Sequence, residues 1–312
     1  MAAGRALLHV LSRVTGLATI PRNQQVNDAL ARPDRFYSEY VFVRSDNGDP
    51  VDGARALALE VTFQEQAILE VVRKARLPIW WSGRPVSIAW MVVEQDGQRS
   101  LLHDGSPLEL AQALRRKARQ RGLPLALPLL DLQDNLQVSP GIVWGNFLPT
   151  LINATERYGI NQLIVGRMRA QRVGEQTLYS GDWQIAFAED LVPVTSNFSA
   201  LTAQQVANVA TELATAYFAP AMTVFSGDQF DHLLHVGEVS EIGQYARMMN
   251  YFRQFEFVEA VTVASIIDGR IALNVSTAAS EKLLLSLLTR DGRFSAQAAE
   301  DHSLVPSLLW RD

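Results

Sequence analysis

Two apolar runs in the middle of the chain constrain the fold more than any other feature. The first run extends from Leu123 to Leu130 and stops at Asp131, and the second is Leu163-Ile164-Val165. The segment between them, from Asn146 to Tyr158, has the periodicity of an amphipathic helix. Apolar runs joined by such a helix predict parallel strands buried on both faces, with a right-handed crossover. The centre of the chain is therefore predicted to be a sheet with helices packed on it.

The same patterns predict an α/β and α+β protein made of several units. An N-terminal α-α-β-β-α unit is expected over residues 1–80. A central mixed-sheet β-α-β-α-β-β-α domain is expected over 84–220, a C-terminal β-α-β-β-α module over 230–293, and a tail over 294–312. A chain of 312 residues suits two or three such units.

Two hairpins and three helix starts are marked by local signals. Tyr37–Arg44 and Ala54–Phe63 alternate as strands around the turn formers Ser45–Pro50, which predicts a hairpin with one buried face. Asp268-Gly269 predicts the turn of a second hairpin. Cap signals predict helices that start at Ser106-Pro107, with Glu109 completing a capping box, at Ser139-Pro140 and at Thr202.

Composition excludes several classes of function. The formal net charge of -5 argues against broad nucleic-acid binding, which usually requires a basic excess. The absence of cysteine excludes disulfides, thiolate metal sites and cysteine nucleophiles. No run reaches the roughly 18 apolar residues of a membrane span, so no transmembrane segment is expected.

The sequence lacks the common catalytic motifs. The sequence contains no dinucleotide-binding or phosphate-binding glycine motif, zinc-protease motif, calcium loop or nucleophile elbow, and no cofactor is predicted. The closest histidines, His232 and His235, have an odd spacing that places them on opposite faces of a strand. No metal site is predicted, and catalysis is not expected.

Trp80 and Trp81 are the first candidate binding residues. They are adjacent and lie in the link between Pro78 and Pro85. They could form an exposed binding platform, but aromatic side chains of this size usually bury large apolar areas. The favoured interpretation is that both rings are buried between the first two units and fix the angle between them.

Asp131 and Asp134 are the second pair of candidates. Asp131 ends a predicted strand, and ligands of parallel sheets bind beyond the carboxyl ends of their strands. A carboxylate pair at that edge could carry out acid–base chemistry. The favoured interpretation is that both side chains cap or hydrogen-bond their own loop, as Asp commonly does in turns. Arg167 and Arg169, which share one strand face, are interpreted as a solvated edge.

Several stretches resemble an uncharacterised gammaproteobacterial family, domain of unknown function 2066. The resemblance covers nearly the whole chain and is carried by Ala6–Gly16, Leu77–Pro85, Leu127–Asp134, Val143–Gly145 and Arg157–Ile160. Members usually begin with a cleavable export signal, which is absent here, whereas this chain begins abruptly with an amphipathic helix. The resemblance therefore implies a periplasmic protein with a signal peptide encoded upstream of Met1.

These observations together favour a non-catalytic periplasmic envelope protein. It is expected to act through protein–protein contacts as a scaffold or assembly factor, with a partner that the sequence does not identify. The alternative is a small-molecule-binding protein or hydrolase that uses the carboxyl edge of the central sheet near Asp131.

Overall fold

The computed structural model describes residues 2–44, 57–188, 190, 192–225, 227, 229–267, 270–290, 292–297 and 305–311. The chain divides into two compact units. The terminal unit combines Met1–Ser82 with Met222–Asp312, and the inserted unit is Gly83–Ala221. The first and third units predicted from the sequence thus lie in one compact body. The division of the chain into three separate units and a tail stays a prediction.

The N-terminal part of the terminal unit has the predicted α-α-β-β-α order. Its elements are α1 (Ala2–Thr15), α2 (Gln24–Ala31), a 3-10 helix (Pro33–Arg35), β1 (Tyr37–Arg44), β2 (Leu57–Phe63), α3 (Glu65–Lys74) and β3 (Pro78–Trp80). The apolar sides of the helices form one core, in which Leu11 of α1 lies with Val26 of α2 and Val72 of α3. The Asn23 side chain caps α2 by accepting from Val26 N. It also donates to the Ala75 carbonyl at 2.9 Å, which ties the start of α2 to the end of α3.

The C-terminal part of the terminal unit is a sheet with helices. Its elements are β10 (Thr223–Phe225), β11 (Phe230–Gly237), α9 (Ile242–Phe252), β12 (Val258–Ile267), β13 (Arg270–Thr277), α10 (Glu281–Leu288), β14 (Phe294–Gln297) and β15 (Ser307–Trp310). The strands of the main sheet lie in the order β12-β13-β11-β15-β14. The predicted tail is part of this sheet, because β15 pairs in parallel with β11. The aromatic rings of Phe294 and Trp310 pack against each other and against Tyr251.

The inserted unit is built on a mixed sheet. Its elements are β4 (Ser87–Gln95), β5 (Gln98–Leu101), α4 (Glu109–Arg121), β6 (Leu125–Ala126), α5 (Leu132–Gln137), α6 (Pro140–Trp144), α7 (Leu148–Glu156), β7 (Gln162–Val173), β8 (Gln176–Phe187), β9 (Val194–Leu201) and α8 (Ala203–Phe218). The strand order is β5-β4-β7-β8-β9, and β4 runs parallel to β7. The short β6 also pairs with β4. A mixed α/β architecture is confirmed.

Both faces of β4 are buried, as the near-continuous apolar sequence predicts. One face carries Trp90, which packs with residues of α6 and α7. Its indole N–H donates to Thr155 Oγ1 at 3.0 Å, so this large buried side chain has no unsatisfied polar atom. The opposite face carries Ala89 and Met91, which are buried as well. Helix α8 packs on α4 and on β8 and β9.

Several local predictions differ from the structure. The run from Leu123 to Leu130 forms only the two-residue strand β6, and the parallel partner of β7 along its length is β4. The helix predicted to be capped by Ser106 begins later, at Glu109, with Leu108 at the N-cap position and no side-chain cap. Ser106 belongs to the preceding turn, in which its N–H donates to the His103 carbonyl. The caps at Ser139 and Thr202 are confirmed. Both predicted hairpin turns, 45–50 and 268–269, lie outside the described residues.

None of the helices within the described part of the chain is both long enough and apolar enough to cross a membrane.

Candidate binding surfaces

Trp80 and Trp81 lie in the interior of the protein. Their exposed fractions are 2% and 7%, so an exposed aromatic platform is not present at this position. The ring of Trp81 stacks on Phe255 with centroids 5.1 Å apart, and its backbone N–H donates to the Met222 carbonyl. Strand β3, which ends at Trp80, pairs antiparallel with β10. Burial of both rings was expected, but the partners that these contacts identify come from the C-terminal part of the terminal unit.

Asp131 and Asp134 are brought together with Arg157 and Tyr158. The guanidinium of Arg157 donates to both oxygens of Asp131 at 2.6 Å and to Asp134 Oδ1 at 2.8 Å. The hydroxyl of Tyr158 donates to Asp134 Oδ2 at 2.6 Å. The backbone N–H of Leu130 donates to the same oxygen at 2.9 Å. We refer to these four side chains, Asp131, Asp134, Arg157 and Tyr158, as the carboxylate network.

The side chains of the carboxylate network bond to one another and to the backbone of their own loop. Asp131 is also the N-cap of α5, since it accepts from Asp134 N. Hydrogen bonds from Arg157 hold the pKa of Asp131 well below its ordinary value. Burial, followed by the bond to Asp134, raises the pKa of Tyr158 to about 12. A carboxylate that is held ionised in this way is a poor general acid at neutral pH. The geometry matches the capping role favoured from sequence.

The carboxylate network joins two connections of the inserted unit. Asp131 and Asp134 follow the short strand β6, and Arg157 and Tyr158 come just after α7, in the segment that leads into the start of β7. The network therefore ties the 129–134 loop to the chain that enters β7. Whether Asp131 or Asp134 binds a ligand stays a prediction.

A polar surface does lie toward the carboxyl ends of β4 and β7. Glu94, Arg167 and Arg169 point to the same face there, because alternate residues of a strand share a face and the strands are in register. The surface borders a pocket of about 400 Å³. The residues lining the pocket are Trp144, Arg167, Met168, Arg169, Ser180, Gly181 and Asp182.

Ion pairs organise this polar surface. Arg167 donates to Asp182 Oδ2 at 2.8 Å and to the Trp144 carbonyl at 3.3 Å. Glu94 accepts from Nε of both Arg99 and Arg169, at 2.8 and 3.0 Å. The guanidinium of Arg99 lies 4.0 Å from the centre of the Trp144 ring, a cation–π contact. The sequence predicted that Arg167 and Arg169 share a strand face. Their acidic partners lie on other strands, Asp182 on β8 and Glu94 on β4.

The third surface is the hairpin of β1 and β2, which we call the arm. Cross-strand pairs place a stripe of apolar residues on one face, namely Tyr37, Tyr40, Phe42, Leu59, Val61 and Phe63. Phe63 packs against the helical core at the base of the arm. Further out, Tyr40 is 54% exposed and Phe42 is 68% exposed. The apolar face predicted from the alternation is therefore present. Among the described residues, it packs against the helical core only at the base of the arm.

The arm is built from residues that sequence reasoning assigned to an ordinary hairpin. Within the described residues, β1 and β2 pair only with each other. An isolated two-stranded ribbon is at best marginally stable in water, and a contiguous exposed apolar patch commonly marks an interaction site. The alternation of apolar residues in β1 and β2 was the sequence signal for this surface. It did not indicate that, in the described part of the chain, no helix or other sheet covers the outer part of the stripe.

His232 and His235 show no metal-like arrangement. Nε2 of His232 lies 2.8 Å from the Ala279 carbonyl, and the ring stacks on Phe230. Among the described residues, no group of three or more His, Asp or Glu side chains is positioned to hold a metal ion.

Residues 1–81 match a protein family described as Domain of unknown function (DUF8605). The matched segment contains the arm, the helices α1 to α3 and Trp80 and Trp81. No curated protein and no solved structure matches the chain.

Proposed function

We propose that this protein is a non-catalytic component of the bacterial cell envelope that works by binding another protein, as a scaffold or assembly factor. The observation that carries the proposal is the exposed apolar stripe of the arm, in which Tyr40 and Phe42 face solvent. Tyr and Phe rings supply large contact areas with few rotatable bonds, and aromatic residues are enriched at interfaces. A folded chain that keeps such a stripe exposed gains stability when a partner covers it.

The partner is expected to present an extended, apolar segment. An edge strand offers unpaired N–H and C=O groups, and a second strand can add to it by main-chain hydrogen bonding. Strand β1 carries one acidic residue, Glu39, and ends at Arg44, so its central part, Tyr40 to Val43, is uncharged. Strand β12, at one edge of the main sheet, also exposes apolar side chains. Ile266 and Ile267 are each 65% exposed.

The proposal also specifies a cell compartment and a protein family. We place the protein in the periplasm of a gammaproteobacterium, as a relative of the domain-of-unknown-function 2066 proteins. The lack of cysteine and the resemblance of five sequence stretches support this placement. The match of residues 1–81 to a family of unknown function is compatible with it and adds no activity.

The proposal is tested by photocrosslinking in cells that express the full-length gene. A p-benzoylphenylalanine side chain replaces Phe42 in one strain and the exposed Gln120, on α4, in the control strain. We expect a discrete protein adduct from position 42, recovered in the periplasmic fraction, and none from position 120. Adding Tyr40→Ser should reduce the yield roughly tenfold, as expected when a central interface aromatic is lost. Equal adduct patterns at both positions would contradict the binding role, and a cytosolic adduct would contradict the compartment.

A second candidate function is small-molecule binding by the pocket next to Trp144. The observation in its favour is that the pocket lies toward the carboxyl ends of the parallel strands β4 and β7, where ligands of α/β sheets bind. The side chain of Arg169 is 70% exposed, and its Nε donates to Glu94. A fragment screen by NMR in which the Trp144 indole N–H signal never moves would rule this candidate out.

A further inference from the structure

A cleft opens at the base of the arm, between α2 and α3. Its volume is about 530 Å³, which lies within the range of protein ligand pockets. The residues that line it are Gln25, Asp28, Ala29, Ala31, Arg32, Arg35, Phe36, Glu70, Val71 and Lys74. All of them belong to the segment that matches the family of unknown function. Phe36, which lines the cleft, directly precedes β1, so the cleft lies next to the base of the arm.

The floor of the cleft is apolar and its walls are fixed. Ala29 and Val71 are buried members of the helical core, and Phe36 packs against that core while remaining partly exposed. The helices that form the walls are joined by the hydrogen bond from Asn23 to the Ala75 carbonyl. At the arm end, Gln64 N donates to the Phe36 carbonyl at 2.8 Å. A cleft held in this way needs little rearrangement to accept a side chain.

The rim of the cleft has an excess of positive charge that the described residues do not neutralise by ion pairs. Lys74 pairs with Glu70 at 2.6 Å, and both side chains are exposed. Neither Arg32 nor Arg35 has a carboxylate oxygen within 4.0 Å among the residues that the structure describes. Asp28 is the remaining acidic residue of the lining, so two guanidinium groups face one carboxylate. Arginine presents parallel N–H donors that match a carboxylate with two bonds.

We propose, on the premise that the protein binds another protein through the arm, that the cleft receives an acidic segment of that partner. Carboxylates of the partner would bind Arg32 and Arg35, and apolar side chains next to them would cover Phe36 and the floor. The apolar floor favours a peptide over a nucleic acid, because a peptide can present apolar side chains next to its carboxylates.

The test is a selection of random 12-residue peptides displayed on phage, using the full chain as the target. Three targets are compared: the wild type, the charge reversal Arg32→Glu with Arg35→Glu, and the matched control Arg5→Glu. Arg5 is exposed on α1 and does not line the cleft. We expect the wild type and the control to enrich peptides with Asp or Glu beside apolar residues. The charge reversal should enrich Lys and Arg instead.

Binding constants of the selected peptides give the quantitative criterion. Synthetic peptides from the wild-type selection should bind the charge reversal at least about tenfold more weakly, and the control within about twofold. Raising the salt concentration should weaken wild-type binding, because the rim charges are exposed. Selected peptides without an acidic excess, or with equal affinity for the charge reversal, would overturn the proposal. So would the absence of any selected peptide.

A third variant separates this proposal from the function on which it rests. If Phe42→Ser abolishes binding and the charge reversal leaves it unchanged, the arm binds partners and the cleft proposal fails alone. If sedimentation shows that the wild type self-associates and that the charge reversal abolishes this, the occupant is a second copy of the chain and the proposal is overturned. Melting temperatures within the error of the wild type confirm that each variant is folded.

Discussion

Strands β1 and β3 come from the same 81-residue segment and are both rich in aromatic residues, yet they have opposite environments. Strand β3 and the adjoining Trp81 are buried, because β10 pairs with β3 and Phe255 covers the indole ring. Strand β1 pairs only with β2 among the described residues, and Tyr40 and Phe42 stay exposed. Residues 222–312 provide partners for β3, whereas the residues that the structure describes cover the arm only at its base. This difference is why we propose that the arm binds another protein.

Charged groups show the same contrast. In the carboxylate network, Arg157 satisfies Asp131 and Asp134 at distances of 2.6 to 2.8 Å. At the cleft, Arg32 and Arg35 have no such partner within the described part of the chain. Groups that are paired inside the chain stabilise its fold, and groups that are left unpaired at a cleft are available to another molecule.

The largest expected effect is that of Trp81→Ala. The substitution removes a buried ring stacked on Phe255 and should lower the free energy of unfolding by about 3 to 5 kcal/mol, if the site does not collapse. Urea denaturation at neutral pH measures this. The matched control is Phe42→Ala on the arm, which should change the free energy of unfolding by less than about 0.5 kcal/mol, since that ring is mostly exposed. Equal losses in both variants would remove the distinction between β3 and the arm.

The next largest effect is expected for Asp134→Ala. Asp134 is 1% exposed, and its removal takes the acceptor away from Tyr158, from Leu130 N and from one nitrogen of Arg157. The free energy of unfolding should fall by about 3 kcal/mol, as when one member of a buried ion pair is removed. Asp28→Ala at the cleft is the control and should lie within about 0.5 kcal/mol of the wild type. Full stability of Asp134→Ala would show that the network is not structural and would favour a ligand role.

A smaller effect is expected for Tyr158→Phe, and it has a pH signature. The variant loses the hydroxyl that donates to Asp134, which should lower the free energy of unfolding by about 1 kcal/mol at neutral pH. The folded state raises the pKa of Tyr158 to about 12 and so favours the protonated hydroxyl. Its contribution is therefore complete below the ordinary tyrosine pKa of about 10 and is lost as the pH rises through 12.

Denaturation at a series of alkaline pH values, together with the absorbance of tyrosinate, measures this signature. The wild type should lose stability relative to Tyr158→Phe as the pH rises from about 10 through 12. A constant difference between them at every pH would mean that the hydroxyl does not titrate as part of the network.

Much of the local structure followed from the sequence alone. The order of helices and strands in the N-terminal part, the apolar strand at the start of β7, and the caps at Ser139 and Thr202 all arise from patterns within a few residues. Such patterns act through backbone geometry, turn chemistry and the period of apolar side chains. The capping role of Asp131 was also favoured from sequence, because its partner Asp134 N is only three residues away.

What only the tertiary structure decided are the contacts between residues far apart in the chain. Trp81 meets Phe255, Asp134 meets Arg157, and Glu94 meets Arg169, and no local pattern encodes these pairs. The same dependence on distant segments explains why the exposure of the arm could not be predicted from the sequence. Alternation in β1 and β2 specifies that one face is apolar, but whether that face is covered depends on where every other element packs. The sequence by itself determined which side chains share a face, and the packing of distant segments decided which faces are buried.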